Sequence, residues 1–527
     1  MTLSRSAENP KISRWRGGAL ALPTTGLLVY ALVWLVPAAT LAWRIVGGTL
    51  AGDLFEHAAA VRELATHPFQ PVNPILLVDL PHTLFSPYSL LAAAIVRLTG
   101  LDPFNVLALA GFLNVVILAA GFRAFVRIFS TSDLALVLAA IFAFFLWGST
   151  PLHLGLDPLI WSGFLNLDSL SYGLPYPSAL AMSLAFFALA LLADYLQRGG
   201  RLRLAAVLVM QAFVVVLHPY TAVFVVLGLG ALLVARGSRP EIRRAVAAVA
   251  AVAAGSLVAL AWPYFSIVSL LTGQVGAFDP EQREMYSAVL LRIFPAFVGL
   301  PFMAIRLRIS RRDALAWLFA GLSLAYVLGY VTARYVLGRE LPYVVICLDI
   351  ALAIGVARVL SGVHVPVAGD RGLGSRVRVH ARAILAICLL PVLVLGSTDV
   401  IEVLTTGDTH ADVEGLAKQT GQYDVVLADQ TSYPAVPTWG GKLVAWAGAL
   451  AFIPDIAERR SQAAAFFDPS TSVTDRVAIL RQYSVRWVIY DRQAATTSAA
   501  FEASIPAWGT PYATSPDGTY VLVSVKP

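Results

Sequence analysis

The sequence predicts a polytopic α-helical membrane protein with a small α/β domain near its C-terminus. Its 527 residues are 58% hydrophobic and 13% charged, and the mean hydropathy is +0.73. An average soluble chain is about 45–50% apolar and about 25% charged, so a soluble protein is excluded. Long apolar runs also stop near residue 400, and shorter strand-like and helix-like segments follow them.

The apolar runs predict about eleven to twelve membrane-spanning helices, since about 20 residues are needed to cross a bilayer. A shorter run at 84–99 begins in the stretch Pro81 to Tyr88, which contains two prolines, and is predicted to be re-entrant or interfacial rather than spanning. The long runs lie near 19–43, 104–122, 131–148, 176–196, 203–217, 220–235, 245–268, 287–304, 313–332, 341–359 and 383–399.

The basic residues predict the orientation of these helices and give no indication of nucleic-acid binding. Lys11, Arg14 and Arg16 precede the first run, which the positive-inside rule places with the N-terminus in the cytoplasm. Later arginine clusters put the loops 149–175, 269–286 and 333–340, and the chain after Val400, on the outer face. We predict a multi-pass protein of the cytoplasmic (inner) membrane of a bacterium.

The same reasoning predicts two domains. Residues 1–400 form the transmembrane domain with a first outer loop at 44–83, and residues 401–527 form an extracytoplasmic α/β domain. Alternation of buried strands and amphipathic helices predicts the α/β class. The predicted strands are 423–428, 486–490 and 519–525, and the predicted helices are 454–467 and 473–483.

Asp53 is the strongest candidate for a catalytic residue. It follows the first spanning run by about a dozen residues and precedes a helix-like stretch, so it emerges on the outer face as a possible general base. The alternative is a structural role, because an acidic residue at this place can cap the helix that follows. His57 lies one turn further along the same helix face, where it could orient the carboxylate or contact a phosphate.

Other polar residues of the predicted outer loops are candidates for substrate binding. Arg334 and Arg339 go against the depletion of positive charge in translocated loops, and guanidinium groups bind phosphate well. Their alternative role is to pair with Glu340 or with lipid head groups. The full set of predicted substrate-binding residues is Glu56, His57, His82, Asp168, His218, Arg334 and Arg339.

The chain resembles the GT-C superfamily of membrane glycosyltransferases, which includes protein O-mannosyltransferases, the lipid A aminoarabinose transferase and mycobacterial mannosyl- and arabinosyltransferases. The resemblance rests on Gly52-Asp53 after the first helix, the long first loop, the proline-rich stretch Pro81 to Tyr88 and the outer terminal domain. Within that domain the matching residues are Phe466-Phe467, Arg476, Ile479-Leu480, Tyr483 and Arg486 to Tyr490.

The chain also departs from some members of the superfamily. Leu54 follows Asp53, where protein O-mannosyltransferases usually carry paired acidic residues. No Trp-Trp-Asp motif of the oligosaccharyltransferase type is present, which argues against en bloc transfer to asparagine.

The resemblance implies an inverting transfer of a sugar from a polyprenyl-phosphate donor to a glycan, lipid or protein acceptor of the cell envelope. Asp53 would be the base, and Arg334, Arg339 or a histidine would stabilise the departing phosphate. No nucleotide-binding glycine-rich motif is present, which agrees with a lipid-borne donor. A divalent metal is possible, although no ligand set with fixed spacing appears.

Three other functions are alternatives to a glycosyltransferase. A secondary transporter or flippase of envelope precursors would carry inverted repeats, and none is visible. An O-antigen ligase or polymerase would carry its large functional loop later in the chain. A non-catalytic scaffold for a cell-envelope complex is the third.

Overall fold

The computed structural model describes most of the chain. The described residues are 25–47, 53–146, 163–236, 242–272, 282–361, 411–429, 435–446, 448, 450–494 and 498–527, with two isolated positions at 390 and 394. The predicted run 383–399 and the predicted domain boundary near 400 lie outside this part of the chain, as do the N-terminal basic residues.

Seven of the described helices are long and apolar enough to cross a membrane. We number the helices in chain order, with α2 (Leu54–Thr66), α3 (Pro87–Thr99), α5 (Asp133–Phe145), α6 (Leu167–Gly173) and α8 (Arg201–Leu217) lying between the long ones. The seven are α1 (Thr25–Val46), α4 (Pro103–Phe129), α7 (Pro177–Arg198), α9 (Pro219–Arg236), α10 (Ile242–Ala259), α14 (Ala314–Val331) and, with the 3-10 turn before it, α15 (Leu341–Leu360).

Helices α4, α7 and α9 pack closely against one another. A Cβ atom at Gly121 would lie 2.8 Å from the carbonyl oxygen of Ser183, so only glycine allows α4 and α7 to approach this closely. The Phe125 and Phe186 rings stack with their centroids 4.9 Å apart, and Phe224 meets both rings edge-on. Close backbone approach and interlocked aromatic rings hold these three helices together.

Three apolar runs form shorter helices than a continuous span requires, and one of them, the run at 131–148, becomes the 13-residue α5. The run at 84–99 becomes α3, whose 13 residues extend about 20 Å and are too short for a hydrocarbon core of about 30 Å. The run at 287–304, which we predicted to span, is broken into α12 (Val289–Arg292), a 3-10 turn (Phe294–Gly299) and α13 (Leu300–Ile309). Pro295 and Pro301 each lie in the first turn of a new segment, because proline lacks the N–H that a continuous helix needs. The prediction of one helix here is wrong.

The C-terminal residues form a five-stranded mixed sheet in the order β2-β1-β3-β5-β4. Strand β1 is parallel to β2 and β3, whereas β5 is antiparallel to β3 and β4. The predicted fold class is confirmed. The strands are β1 (Val425–Ala428), β2 (Lys442–Leu443), β3 (Val485–Asp491), β4 (Gly509–Thr514) and β5 (Tyr520–Val525), and the helices are α16 (Ala411–Ala417), α17 (Ala435–Trp439), α18 (Ile456–Phe467), α19 (Val473–Gln482) and α20 (Ala499–Trp508), with α11 (Ile267–Thr272) earlier in the chain.

Candidate active site

Residues from four separate connections meet around Asp53. Asp53 precedes α2, Tyr176 precedes α7, His218 joins α8 to α9, and Arg339 lies in the 3-10 turn Tyr335–Glu340 before α15. The positive charge of Arg339 acts on both Asp53 and His218, and the charge of Asp53 acts on Tyr176. Residues far apart in sequence therefore form one polar cluster beside the helix ends.

Asp53 does not cap the helix that follows it. Its side chain forms no hydrogen bond with the first turn of α2, and its backbone has φ −61° and ψ −9° instead of the extended geometry of a capping residue. Its carbonyl oxygen accepts a hydrogen bond from the His57 N–H at 3.0 Å, which is the first intrahelical bond of α2. The side chain of Asp53 therefore makes no capping contact with α2.

The environment of Asp53 is crowded although solvent reaches it. The residue is exposed by surface area, yet surrounding protein desolvates the carboxylate and raises its pKa above the ordinary value. The Arg339 guanidinium opposes the effect and lowers the pKa. A carboxylate so placed is a stronger base than a fully solvated one.

Arg339 and Arg334 differ in their surroundings. Arg339 is half-buried, and its Nε donates a hydrogen bond to the Gln282 side-chain oxygen at 2.5 Å. Arg334 is exposed at the beginning of the same 3-10 turn. The structure therefore brings one of the two predicted arginines to Asp53 and leaves the other on the outside of the cluster.

His218 begins a short chain of hydroxyl groups. Its Nδ1 lies 2.8 Å from the Thr221 hydroxyl, which lies 2.8 Å from the Tyr343 hydroxyl. Burial and the nearby Arg339 lower the pKa of His218 to about 3, so the imidazole is neutral at ordinary pH. A neutral ring held by Thr221 can accept or donate one hydrogen bond but does not supply a positive charge.

His57 and His82 are two buried histidines that lie near each other. The His57 ring packs on the Tyr176 ring with centroids 4.9 Å apart, and its Nδ1 has no hydrogen-bond partner among the described residues. The His82 Nδ1 accepts a hydrogen bond from the Leu84 N–H at 3.2 Å. Burial lowers the pKa of both rings to about 3, and His57 and Lys442 contribute to the shift of His82. Both are therefore uncharged at neutral pH.

Glu56 lies on α2 next to the α/β domain. A Cβ atom added at Gly448 would lie 3.3 Å from its Oε1 atom. The carboxylate therefore faces residue 448 of the C-terminal domain, one turn from Asp53, and its charge acts on Tyr176. This places Glu56 between the helical cluster and the α/β domain.

Asp168 forms a buried ion pair with Arg44, at the end of α1. Arg44 Nη2 lies 3.0 Å from Asp168 Oδ1, its Nε donates to the Ser171 hydroxyl at 2.8 Å, and its guanidinium lies 3.5 Å above the Tyr172 ring. Both side chains are almost fully buried. The pair joins the first helix to α6, a contact that makes Asp168 important for structure.

We predict that Asp168→Asn destabilises the protein strongly. Removing one partner of a buried pair leaves an uncompensated charge and costs about 3–5 kcal/mol. Thermal unfolding of the purified protein in detergent measures the effect. Asp194→Asn is the matched control, because its pairs with Arg198 and Arg203 are partly exposed and worth at most about 1 kcal/mol. Equal shifts for the two variants would contradict the prediction.

Sequence reasoning did not select two groups of the cluster. Tyr343 lies inside an apolar run, and Gln282 carries no charge that would single it out. The signal for Arg44 was present, because the predicted orientation puts this basic residue at the outer end of the first helix, against the positive-inside rule. Among the described residues, no three His, Cys, Asp or Glu side chains converge in a way that would hold a metal ion.

No protein-family model matches the chain, and no curated protein matches it. Several solved structures are similar to the chain. The archaeal oligosaccharyltransferase AglB from Archaeoglobus fulgidus, in complex with an inhibitory peptide and a dolichol-phosphate, is similar with a TM-score of 0.53 at 12% identity, over 95% of this chain and 74% of that one. The arabinofuranosyltransferase AftD from Mycobacteria gives a TM-score of 0.54 at 17% identity, over 94% of this chain and 42% of that one. Both neighbours are GT-C membrane glycosyltransferases.

The chain has the GT-C fold. The resemblance that the sequence predicted is confirmed at the level of fold. The same archaeal enzyme tethered to an acceptor peptide with an NVT sequon is also similar, with a TM-score of 0.52 at 12% identity over 95% of this chain and 74% of that one. The cluster around Asp53 is therefore set in a GT-C scaffold, in which a first-loop helix and a terminal α/β domain meet beside the helix ends.

Proposed function

We propose that this GT-C protein is a glycosyltransferase that moves a sugar from a polyprenyl-phosphate donor to a glycan, lipid or protein acceptor of the cell envelope. The observation that carries the proposal is that the positive charge of Arg339 acts on the Asp53 carboxylate, although their segments are far apart in sequence. A carboxylate and a guanidinium near each other supply the two groups that the reaction needs. One accepts a proton, and the other stabilises negative charge on a phosphate.

In the proposed reaction, the acceptor hydroxyl oxygen attacks the anomeric carbon as its proton passes to Asp53. The bond between the anomeric carbon and the donor phosphate oxygen breaks, and its electron pair stays on the phosphate. Arg339 neutralises part of the charge on the polyprenyl phosphate that leaves. The products are an inverted glycoside, a polyprenyl phosphate and a protonated Asp53.

The neutral histidines suit hydrogen bonding better than charge stabilisation. Their pKa values of about 3 leave His57, His82 and His218 uncharged at neutral pH, so Arg339 is the cation that acts on Asp53. In the proposal, His218, held by Thr221, binds a hydroxyl group of the sugar or the acceptor. The exposed Arg334 attracts the anionic donor.

A lipid-linked donor agrees with an outward-facing site, because nucleotide sugars are made in the cytoplasm. The orientation that the basic residues predict puts the Asp53 cluster on the outer face of the cytoplasmic membrane. The similarity to AglB, solved with a dolichol-phosphate, supports the same class of donor.

The proposal predicts activity with lipid-phosphate sugars and none with nucleotide sugars. Purified protein is incubated with radiolabelled farnesyl-phosphate mannose or farnesyl-phosphate arabinofuranose and a cell-envelope fraction as acceptor. We expect label to enter the envelope fraction from at least one farnesyl-phosphate sugar and from neither GDP-mannose nor UDP-sugars. Label that enters only from a nucleotide sugar would overturn the donor class. Repeating the assay with EDTA tests the divalent metal.

A further inference from the structure

The α/β domain contacts α2, the helix that follows Asp53, through hydrogen bonds and aromatic packing. The Thr438 hydroxyl donates a hydrogen bond to the carbonyl oxygen of Phe55 at 2.9 Å, near the start of α2. The Phe55 ring packs edge-on against Trp439, with centroids 5.5 Å apart. Further along α2, Arg62 donates to the carbonyl oxygen of Gly440 at 2.8 Å. The segment Thr438–Gly440 thus contacts α2 at two places along its length, Phe55 and Arg62.

A buried ion pair holds the far end of the same helix. Lys442 Nζ lies 2.9 Å from Glu63 Oε2, and the two side chains are 4% and 1% exposed. The ammonium group also donates to the carbonyl oxygens of Asn73 at 2.9 Å and Pro74 at 3.1 Å, so all three of its donors are used. Glu63 Oε1 accepts a hydrogen bond from the Val72 N–H at 3.3 Å. One lysine therefore binds both α2 and the loop after it.

The loop after α2 also joins the sheet of the α/β domain. The Asn73 side-chain oxygen accepts hydrogen bonds from the N–H groups of Ile75 and Leu76, both at 3.0 Å. This turn presents the Ile75 carbonyl oxygen to the Leu443 N–H at 2.7 Å, and Leu76 pairs in parallel with Leu443 beside the edge of β2. Ile75 and Leu76 are fully buried in the core of the α/β domain. The first loop and the C-terminal domain share one core.

A buried ion pair is a weak source of stability, because desolvating two charges offsets most of their attraction. The directions of its hydrogen bonds say more about its role than its contribution to stability does. Each of the three Lys442 hydrogen bonds has one acceptor at a fixed place, so the pair defines the angle and register of α2 on the domain. An apolar contact of the same area would tolerate small shifts.

We infer that the Lys442–Glu63 pair is a positioning contact that sets the location of the Asp53 carboxylate. The inference rests on the proposed role of Asp53 as the base. Glu63 lies ten residues after Asp53, which is about 15 Å along a helix. A tilt of α2 by about 4° at the Glu63 end therefore moves Asp53 by about 1 Å, and a misplacement of about 1 Å can cost about 100-fold in rate.

The test is Lys442→Met in the full chain, combined with Asp53→Asn. We expect Lys442→Met to lower kcat about 10- to 100-fold with farnesyl-phosphate mannose or arabinofuranose, with KM changed less than about 2-fold. In the Asp53→Asn background the same change should cost nothing further, because the base it positions is gone. Arg492→Gln is the control, since it breaks an exposed ion pair with Glu502 in the same domain.

Hydrogen–deuterium exchange provides a readout that does not depend on turnover. We expect Lys442→Met to speed exchange in 54–66 and 72–76 at least 10-fold, while α18 to α20 exchange as in the unmodified chain. A uniform increase over the whole domain, or unchanged exchange in α2, would overturn the positioning role. So would a full additional loss of rate on Asp53→Asn. If Asp53→Asn alone turns over normally, the proposed function fails while the exchange result still decides the contact.

Discussion

Asp53→Asn should lower the rate of sugar transfer by about 10²–10⁴-fold, which is what a positioned general base contributes. Asparagine keeps the size of the side chain but does not accept the proton of the acceptor hydroxyl. Because Asp53 forms no capping hydrogen bond with α2, we expect the fold and the thermal unfolding temperature to be preserved. Transfer from the active farnesyl-phosphate sugar, measured under single-turnover conditions, checks the rate.

Asp102→Asn is the matched control for this variant. The Asp102 side chain does cap a helix, accepting a hydrogen bond from the Phe104 N–H at 2.8 Å, and asparagine caps almost equally well. Its rate should equal that of the unmodified chain. Near-normal turnover by Asp53→Asn would remove Asp53 from the mechanism.

Arg339→Gln should lower kcat by about 10²–10³-fold, the usual effect of removing one group that stabilises developing negative charge. A second effect follows from electrostatics. Arg339 lowers the pKa of Asp53, so its removal should raise that pKa further. The transfer activity requires ionised Asp53 and is lost as pH falls through its pKa. The acid limb of the pH–rate profile should therefore move to higher pH in Arg339→Gln.

Arg283→Gln is the control for a general loss of positive charge near this end of the bundle. Arg283 is exposed and lies above the Tyr335 ring, with its guanidinium carbon 5.8 Å from the centroid. It should leave both the rate and the acid limb unchanged. An acid limb that stays in place when Arg339 is replaced would show that the guanidinium does not act on the base.

Local patterns predicted most of the helical domain. The runs 176–196 and 313–332 became α7 and α14 with changes of one or two residues at their ends, and the run 104–122 became α4, which continues to Phe129. Hydropathy and length decide whether a segment spans. The run 287–304 failed for a reason visible in the sequence. Its two prolines outweigh the apolar composition, and the chain starts a new helical segment at each of them.

The candidate site also has a part that the sequence predicted and a part that it could not predict. His57 could be placed next to Asp53 from helical spacing alone, and topology placed Arg339 on the same side of the membrane. The partners of Asp168 and Glu63 could not be predicted. Arg44 lies 124 residues from Asp168, and Lys442 lies 379 residues from Glu63, so both pairs depend on tertiary packing. Burial of a charge next to its partner leaves no periodic signal in one sequence.

Arg334 does not lie next to Asp53, and the reason is related. The two arginines are five residues apart in one short loop, and composition gives them the same prediction. The 3-10 turn Tyr335–Glu340 directs Arg339, and not Arg334, toward Gln282. The backbone path of a short loop, rather than its composition, selects the residue that meets the carboxylate.

The most direct test of the account is a cryo-EM structure of the full chain with farnesyl phosphate bound. We predict that the phosphate lies within hydrogen-bonding distance of the Arg339 guanidinium, with the sugar-bearing oxygen facing Asp53. A phosphate bound far from both residues, or bound only at the exposed Arg334, would contradict the proposed site.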